Sequence, residues 1–401
     1  MKLVGLVTEY NPFHNGHQYH LQQAKKTTGA DATVVVMSGN FVQRGTPALL
    51  DKWTRTEMAL KGGADLVIEL PFVYATGSAE IFAQGAVRTL HGLSKIDHIV
   101  FGSESGSIAP LKTVAKFLSQ ETAEFQDQLK NELSAGFAFP VARERALKQF
   151  LNSDDVPTLP NDILGIEYLK AGYRLQTNIE FETIQRLSSD YHDLDTDQAL
   201  SSATAIRAAY FEGRLKDNQH TIPQSTYQTI CNHNNDTVHP ETLGQLLLYK
   251  LRTTPINQLQ RIHDVSEGLE FRIKDAALKA TSYEDLVERI KTKRYVRTRI
   301  QRVLINILFN IEQNFIKEIT QSEGAAYARI LGFTDKGRQV MNYIRKDAQI
   351  PLITNINKYE SESAMVKQML EIDQMATDVY TVLRGDNTGA QDKLKQPIYL
   401  K

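Results

Sequence analysis

Four short apolar runs rich in Val and Ile, separated by longer amphipathic stretches, set the limits on what the first hundred residues can form: Lys2–Val7, Thr33–Met37, Asp65–Leu70 and His98–Phe101. Each is of strand length and continuous rather than alternating, the pattern of parallel strands buried on both faces. The intervening stretches, at about Gly16–Lys26, Asp51–Lys61 and Ser78–Leu90, carry helical periodicity. Strand–helix–strand alternation predicts an α/β fold on an open, doubly wound parallel sheet, whose ligands bind beyond the carboxyl ends of the strands.

Further helices are expected from Pro110 to Leu133, from Pro140 to Leu151 and near Asp162–Tyr173, the last after the loop Asn152–Asn161. Asn178–Gln185 reads as the last strand, and a helix follows from about Ser202 to Glu212. Residues from about 240 to 349 show mostly 3.6-period patterning with Leu, Ile and Lys/Arg, which predicts a helical second domain. The boundary falls in the polar stretch between Leu215 and Pro240, dividing residues 1–215 from a mainly helical 216–401.

A chain of 401 residues accommodates two domains. The net charge of -1 excludes a globally basic nucleic-acid binder but not a local basic patch. A single cysteine, Cys231, rules out a disulfide framework and fits a reducing compartment. The N-terminal apolar run is too short for a signal peptide, and nothing approaches the ~20 apolar residues that span a bilayer. The expectation is a cytoplasmic protein with no membrane association and no obligate protein partner.

The densest chemistry lies directly after the first strand, in Tyr10-Asn-Pro-Phe-His-Asn-Gly-His17. A strand ending near Thr8, a Pro-containing loop and a helix opening near Gly16 aim helix N–H groups and dipole at the crevice, where they can hold phosphate. His14 and His17, three apart, can both donate to one anion and stabilise charge developing on phosphate during displacement. Capping or packing histidines, and a metal site built from His14, His17 and His20, are the competing readings. A strand-to-helix loop does not hold three histidines on one face, and no cysteine is near.

Ser202-Ala-Thr-Ala-Ile-Arg207 offers hydroxyls at a helix start and a cation one turn later, suited to β- and γ-phosphates or to a plain helix cap. The loop Ser38–Gly45, with two glycines and Arg44, follows the second strand at the same end of the sheet. It suits an acetate or phosphate contact. Gly102 follows the fourth strand, where a missing side chain admits an adenosine or simply a tight turn. Arg186, after the strand near 185, is placed to reach a nucleotide.

Arg289, Lys291, Lys293, Arg294, Arg297, Arg299 and Arg302 form a basic run without an acid, with Tyr295 interleaved. On a helix Lys291, Arg294 and Arg297 would share a face, offering phosphate contacts and an aromatic ring to stack on a base. A solvated helix face is the plainer reading. Arg329, Lys336, Arg338, Arg345 and Lys346 make a looser second candidate.

His-Asn-Gly-His resembles the His-x-Gly-His signature of the nucleotidylyltransferase superfamily, and Ser202–Arg207 resembles its Ser-Ser-Thr-x-Ile-Arg element, with Ala203 in place of the second Ser. Longer segments are similar to the bacterial tRNA(Met) cytidine acetate ligase family. They are Gly5–His17, Met37–Gly45, Phe101–Glu104, Pro160–Leu169 and Lys293–Ile300. That resemblance implies adenylylation of acetate by ATP, then acetyl transfer to N4 of the wobble cytidine of elongator tRNA(Met). It implies catalytic roles for His14, His17 and Arg44. It also implies a nucleotide site formed by Val7, Thr8, Glu9, Tyr10, Asn11, Pro12, Phe13, His14, Asn15, Gly16, His17, His20, Gly102, Asn161, Arg186, Ser202, Thr204 and Arg207. The tRNA would meet Lys291, Lys293, Arg294, Tyr295, Arg297 and Arg299.

Acetate is inert toward an amine until AMP replaces oxide as its leaving group, so positioning and charge stabilisation dominate. No nucleophile is evident, and Cys231 lies outside the motifs. Mg2+ is expected with ATP, but no carboxylate cluster marks a protein-held metal. Two other functions fit parts of the pattern: a nucleotidylyltransferase making a nucleotide-linked small molecule, and a non-catalytic RNA-binding protein.

Overall fold

The computed structural model describes residues 1–401 except 152–155, 187–200, 294, 323–325 and 387. Its first strand, β1 (Leu3–Thr8), lies inside the sheet. It pairs in parallel with β2 (Ala32–Ser38) from Leu3↔Ala32 to Thr8↔Met37, and on its other side with β6 (His98–Ser103). Between β2 and β6 in sequence come the short antiparallel pair β3 (Phe41–Val42) and β4 (Thr46–Pro47), and the parallel strand β5 (Leu66–Leu70). β7 (Glu180–Gln185) adds in parallel to β6. The continuous apolar runs are buried on both faces as their composition requires: Val34 and Val36 face one core, Val35 and Met37 the other.

β2 and β5 extend the sheet to one side of β1, while β6 and β7 extend it to the other. The chain therefore reverses its direction of growth between β1 and β6, and a crevice opens beyond the carboxyl ends of those two strands. The helix Asn15–Thr28 follows β1 and packs across β1, β2, β6 and β7.

The second half departs from the expectation in one respect. Residues 216–401 are mainly helical, including the 21-residue helix Ala364–Arg384, but they also return three strands to the sheet. β8 (Ala328–Thr334) pairs antiparallel with β5, and β9 (Leu352–Ile353) and β10 (Ile398–Leu400) pair in parallel with β8. β7 is thus not the last strand, and the sheet continues past the expected division at 215/216. A smaller difference is that the segment from Pro110 to Leu133 is two helices, Ile108–Ser119 and Ala123–Ser134. Thr122 starts the second, its Oγ1 accepting from Phe125 N at 3.3 Å.

Candidate active site

A cleft of about 780 Å³ opens at this reversal point. Of the expected nucleotide-site residues it brings together Val7, Thr8, Glu9, Tyr10, Asn11, His14, Gly16, His17, His20, Gly102, Asn161, Arg186 and Ser202, and Arg44 joins them. Tyr10 turns the chain at φ 45°, a conformation that costs a non-glycine residue on the order of 1 kcal/mol and that clusters at functional sites.

His14 is the N-cap of the helix Asn15–Thr28, and its ring stacks on His17 with centroids 3.6 Å apart. The His14 backbone N–H donates to His17 Nδ1 at 3.3 Å, so His17 carries its proton on Nε2 and can donate from there. Burial depresses all three imidazoles, and the Arg186 guanidinium depresses them further. His14 falls to about 3 and His20 to about 4, while His17 lies well below its ordinary value, with His14 and His20 adding to the effect. The pair therefore meets an anion as neutral hydrogen-bond donors rather than as cations. His14 Nδ1 and His20 Nε2 are buried without a hydrogen-bond partner among the described residues, leaving capacity for a ligand.

Permanent charge comes from arginines. Arg44 and Arg186 are exposed on the cleft wall, and neither forms an ion pair among the described residues. The loop bearing Arg44 is fixed at both ends: Gln43 N donates to Glu9 Oε1 at 2.8 Å, and Gly45 lies so close to Gln301 and Arg302 that a Cβ would come within 2.5 Å of the Arg302 backbone nitrogen. Gly102 serves Arg186 directly, since a Cβ there would meet Arg186 Cγ at 3.0 Å.

Asn161 sits in the first turn of the helix Pro160–Arg174, whose N-cap is Leu159. Glu104 reaches over from the end of β6 to cap that helix. It accepts from Asn161 N at 3.2 Å, Asn161 Nδ2 at 2.5 Å and Asp162 N at 2.9 Å. With its amide nitrogen held, Asn161 offers Oδ1 to a ligand amine.

Five expected contacts do not line the cleft. Phe13 is fully buried in the core and packs edge-on against Tyr10 at 4.8 Å; Pro12 precedes it in the turn. Asn15 Nδ2 donates to His220 O at 3.0 Å. Arg207 Nη1 donates to Asn11 O at 2.6 Å and Nη2 to Thr204 Oγ1 at 3.2 Å, so this pair braces the turn from behind. Ser202 Oγ accepts from Ala205 N at 3.1 Å, the helix-cap arrangement. Missed by the sequence reading were Gln43, Glu104 and an apolar wall of Phe82, Phe101, Leu164 and Tyr168. Glu104 and Tyr168 stand within the segments Phe101–Glu104 and Pro160–Leu169, which was the available signal.

The basic run of the second half is rearranged more heavily. Lys291–Lys293, Tyr295 and Val296 are not helical; the helix begins at Arg297. Tyr295 is buried, with its hydroxyl 3.3 Å from Glu267 Oε2, and is not available to stack on a base. Acids from outside the run pair with the cations: Lys291 with Glu288, Arg297 with Glu284 and Glu288, Arg299 with Asp264. Lys293 is exposed, and Arg294 lies outside the described residues. Arg329, from the looser candidate group, is buried against Glu69 and Asp392 and is no surface cation.

Comparison with known proteins agrees with this geometry. The profile of the HIGH nucleotidyl transferase family matches residues 1–395. The tRNA(Met) cytidine acetate ligase of Alkaliphilus metalliredigens is 40% identical over 421 aligned residues, covering 100% of this chain and 99% of that protein. The ligase of the same name from Thermoanaerobacter sp. is 43% identical, over 95% of each chain. The crystal structure of Thermotoga maritima TmcAL bound with alpha-thio ATP superposes with a TM-score of 0.92 at 36% identity, over 100% of both chains. The chain belongs to the HIGH nucleotidyl transferase family and, within it, to the tRNA(Met) cytidine acetate ligases.

Proposed function

We propose that this protein activates acetate with ATP and transfers the acetyl group to N4 of the wobble cytidine of elongator tRNA(Met). The observation that carries the reading is the buried His14–His17 stack at the sheet reversal, flanked in one cleft by Arg44 and Arg186, which form no ion pair among the described residues. An acetate oxygen attacks the α-phosphorus, the bond to the β-phosphate oxygen breaks and pyrophosphate leaves. Neutral donors and fixed guanidinium charge suit a transition state whose negative charge shifts among phosphate oxygens. The cytidine amine then attacks the acetyl carbonyl, AMP departs and N4 loses a proton.

His17 Nε2–H and Arg44 are assigned to the phosphates and acetate, Asn161 Oδ1 and the Gly102 edge to the adenosine. Arg207, Thr204 and Phe13 position the turn rather than touch the nucleotide. Mg2+ would arrive on the triphosphate. Among the described carboxylates lining the cleft, Glu104 spends both oxygens on helix N–H groups and Glu9 spends one on Gln43.

Lys293 and the neighbouring basic segment are assigned to tRNA phosphate, and the C-terminal half to tRNA binding in general. The reaction needs no protein partner and places the protein with tRNA in the cytoplasm. Among the described residues no helix is long and apolar enough to cross a membrane. The test is isotope exchange between pyrophosphate and ATP. Exchange should require acetate and vanish in His14→Ala and His17→Ala while tRNA binding persists; exchange indifferent to acetate overturns the assignment.

A further inference from the structure

At the end of the sheet away from the cleft, β6 and β7 begin side by side, with His98 opposite Glu180 and Val100 opposite Glu182. Residues two apart on a strand share a face, so His98, Glu180 and Glu182 project together. His98 Nδ1 lies 3.1 Å from Glu182 Oε1 and 3.6 Å from Glu180 Oε2, and one ligand atom from each of the three falls within 4.8 Å of the others. Among the described residues no other group of three does so, and His14, His17 and His20 do not.

The His98 side chain is only 7% exposed, and its Nδ1 makes no hydrogen bond among the described residues despite the nearby oxygens. Those oxygens are near enough to accept but lie off the direction in which a ring N–H would point. That misalignment is what shared coordination produces. Around a tetrahedral ion with bonds of about 2.0–2.2 Å, neighbouring ligand atoms stand about 3.3–3.5 Å apart, each off the other's axis. The observed 3.1 and 3.6 Å straddle that separation.

We infer that His98, Glu180 and Glu182 bind a divalent transition-metal ion of the Zn2+ class, three protein ligands leaving a fourth position to water. One imidazole and two carboxylates suit Zn2+, whereas Ca2+ needs six or more oxygen ligands and Mg2+ an octahedral oxygen shell. The mostly exposed Glu180 provides the path of entry. Among the described residues β7 is the edge strand, paired with β6 alone. An ion joining the starts of both strands would fix the strand that, about 16 Å further along, presents Gln185 and Arg186 to the cleft.

The full-length protein, stripped of metal, is titrated with Zn2+ against a chromophoric chelator and with Co2+ by visible absorption. One ion per chain should bind, with the intense bands of four-coordinate Co2+. Glu180→Gln and Glu182→Gln should each weaken Zn2+ binding by more than about tenfold. The His14→Asn/His17→Asn pair in the cleft should leave it unchanged. Glu180 is mostly exposed, so its substitution tests ligation without threatening the fold. The inference is overturned by a wild-type chain that takes up neither ion, or by Glu180→Gln and Glu182→Gln proteins that keep its affinity and Co2+ spectrum.

Discussion

Arg55→Lys retains a positive charge and is nonetheless expected to be severely damaging. Arg55 is fully buried on the helix Lys52–Lys61, and its guanidinium donates to four backbone carbonyls. Nε reaches Leu50 O at 2.9 Å, Nη1 reaches Glu9 O at 2.5 Å and Ser38 O at 3.1 Å, and Nη2 reaches Ser38 O at 3.1 Å and also Gly39 O. These carbonyls belong to the residue that follows β1, to the start of the loop that carries Arg44, and to Leu50 just ahead of the helix. A lysine ammonium is a point donor and cannot stand at the Nε position and between the two terminal nitrogens together. At least two buried carbonyls would lose their partner, at about 1–3 kcal/mol each, or about 2–5 kcal/mol in all. That is a large part of a typical ~5–15 kcal/mol stability. Trp53, the only tryptophan, lies two residues away and is buried, so its fluorescence reports this region during urea unfolding. The midpoint should fall by about 1 M, given a slope of about 3 kcal/mol per molar urea, and acetate-dependent exchange should fall with it. An unchanged midpoint would show that buried charge, and not the five-donor fork, holds the loop.

The remaining predictions concern protons and the basic segment. In the ligand-free protein His14 and His20, at about 3 and about 4, should show no imidazole titration near 6.5 by NMR. Since the unfolded chain takes up those protons first, stability should decline as pH falls below 6.5, by about 1.4 kcal/mol per pH unit for each histidine; a midpoint near 6.5 for either contradicts the burial argument. Asp373 accepts from Phe72 N and from Tyr327 OH, and burial, then the nearby Glu69, raises it to about 7. A carboxyl raised by folding loses stability as pH climbs from its ordinary value of 3.8 to about 7, with the full cost present above that, so Asp373→Asn should raise the melting temperature more at pH 8 than at pH 5; a gain no larger at pH 8 than at pH 5 refutes this. Tyr295→Ala should cost about 3 kcal/mol through lost core packing. Lys293→Ala should leave melting unchanged and weaken tRNA binding with a shallower salt dependence; the reverse pattern would restore Tyr295 as a stacking residue.

β1, β2, β5 and β6 are legible in the sequence because parallel strands buried on both faces leave unbroken Val/Ile runs, and the glycine and histidines after β1 give a strand–loop–helix site its signature; β3 and β4, two residues each, were not legible in a stretch that reads as a loop. β8 was not legible, because Arg329 interrupts it and reads as a surface cation. Its burial depends on Glu69 and Asp392, which the fold alone brings within 3.2 and 2.7 Å. β10 is three residues at the chain end and offers no periodicity. The neutrality of His14 and His17 follows from burial and the Arg186 charge, neither of which spacing reveals. Tyr295 misled for a related reason: a basic run with an aromatic looks like a nucleic-acid face until acids at 264, 284 and 288 fold against it.

Transfer of labelled acetate to tRNA tests the central claim most directly. The purified protein is incubated with ATP, carboxyl-labelled acetate and unmodified elongator tRNA(Met), and the nucleosides are analysed together with the nucleotide products. The account predicts label on N4 of the wobble cytidine, with one AMP and one pyrophosphate released for each acetyl group transferred, and none of the three with His17→Ala. Label absent from cytidine, or ADP formed in place of AMP, would contradict it.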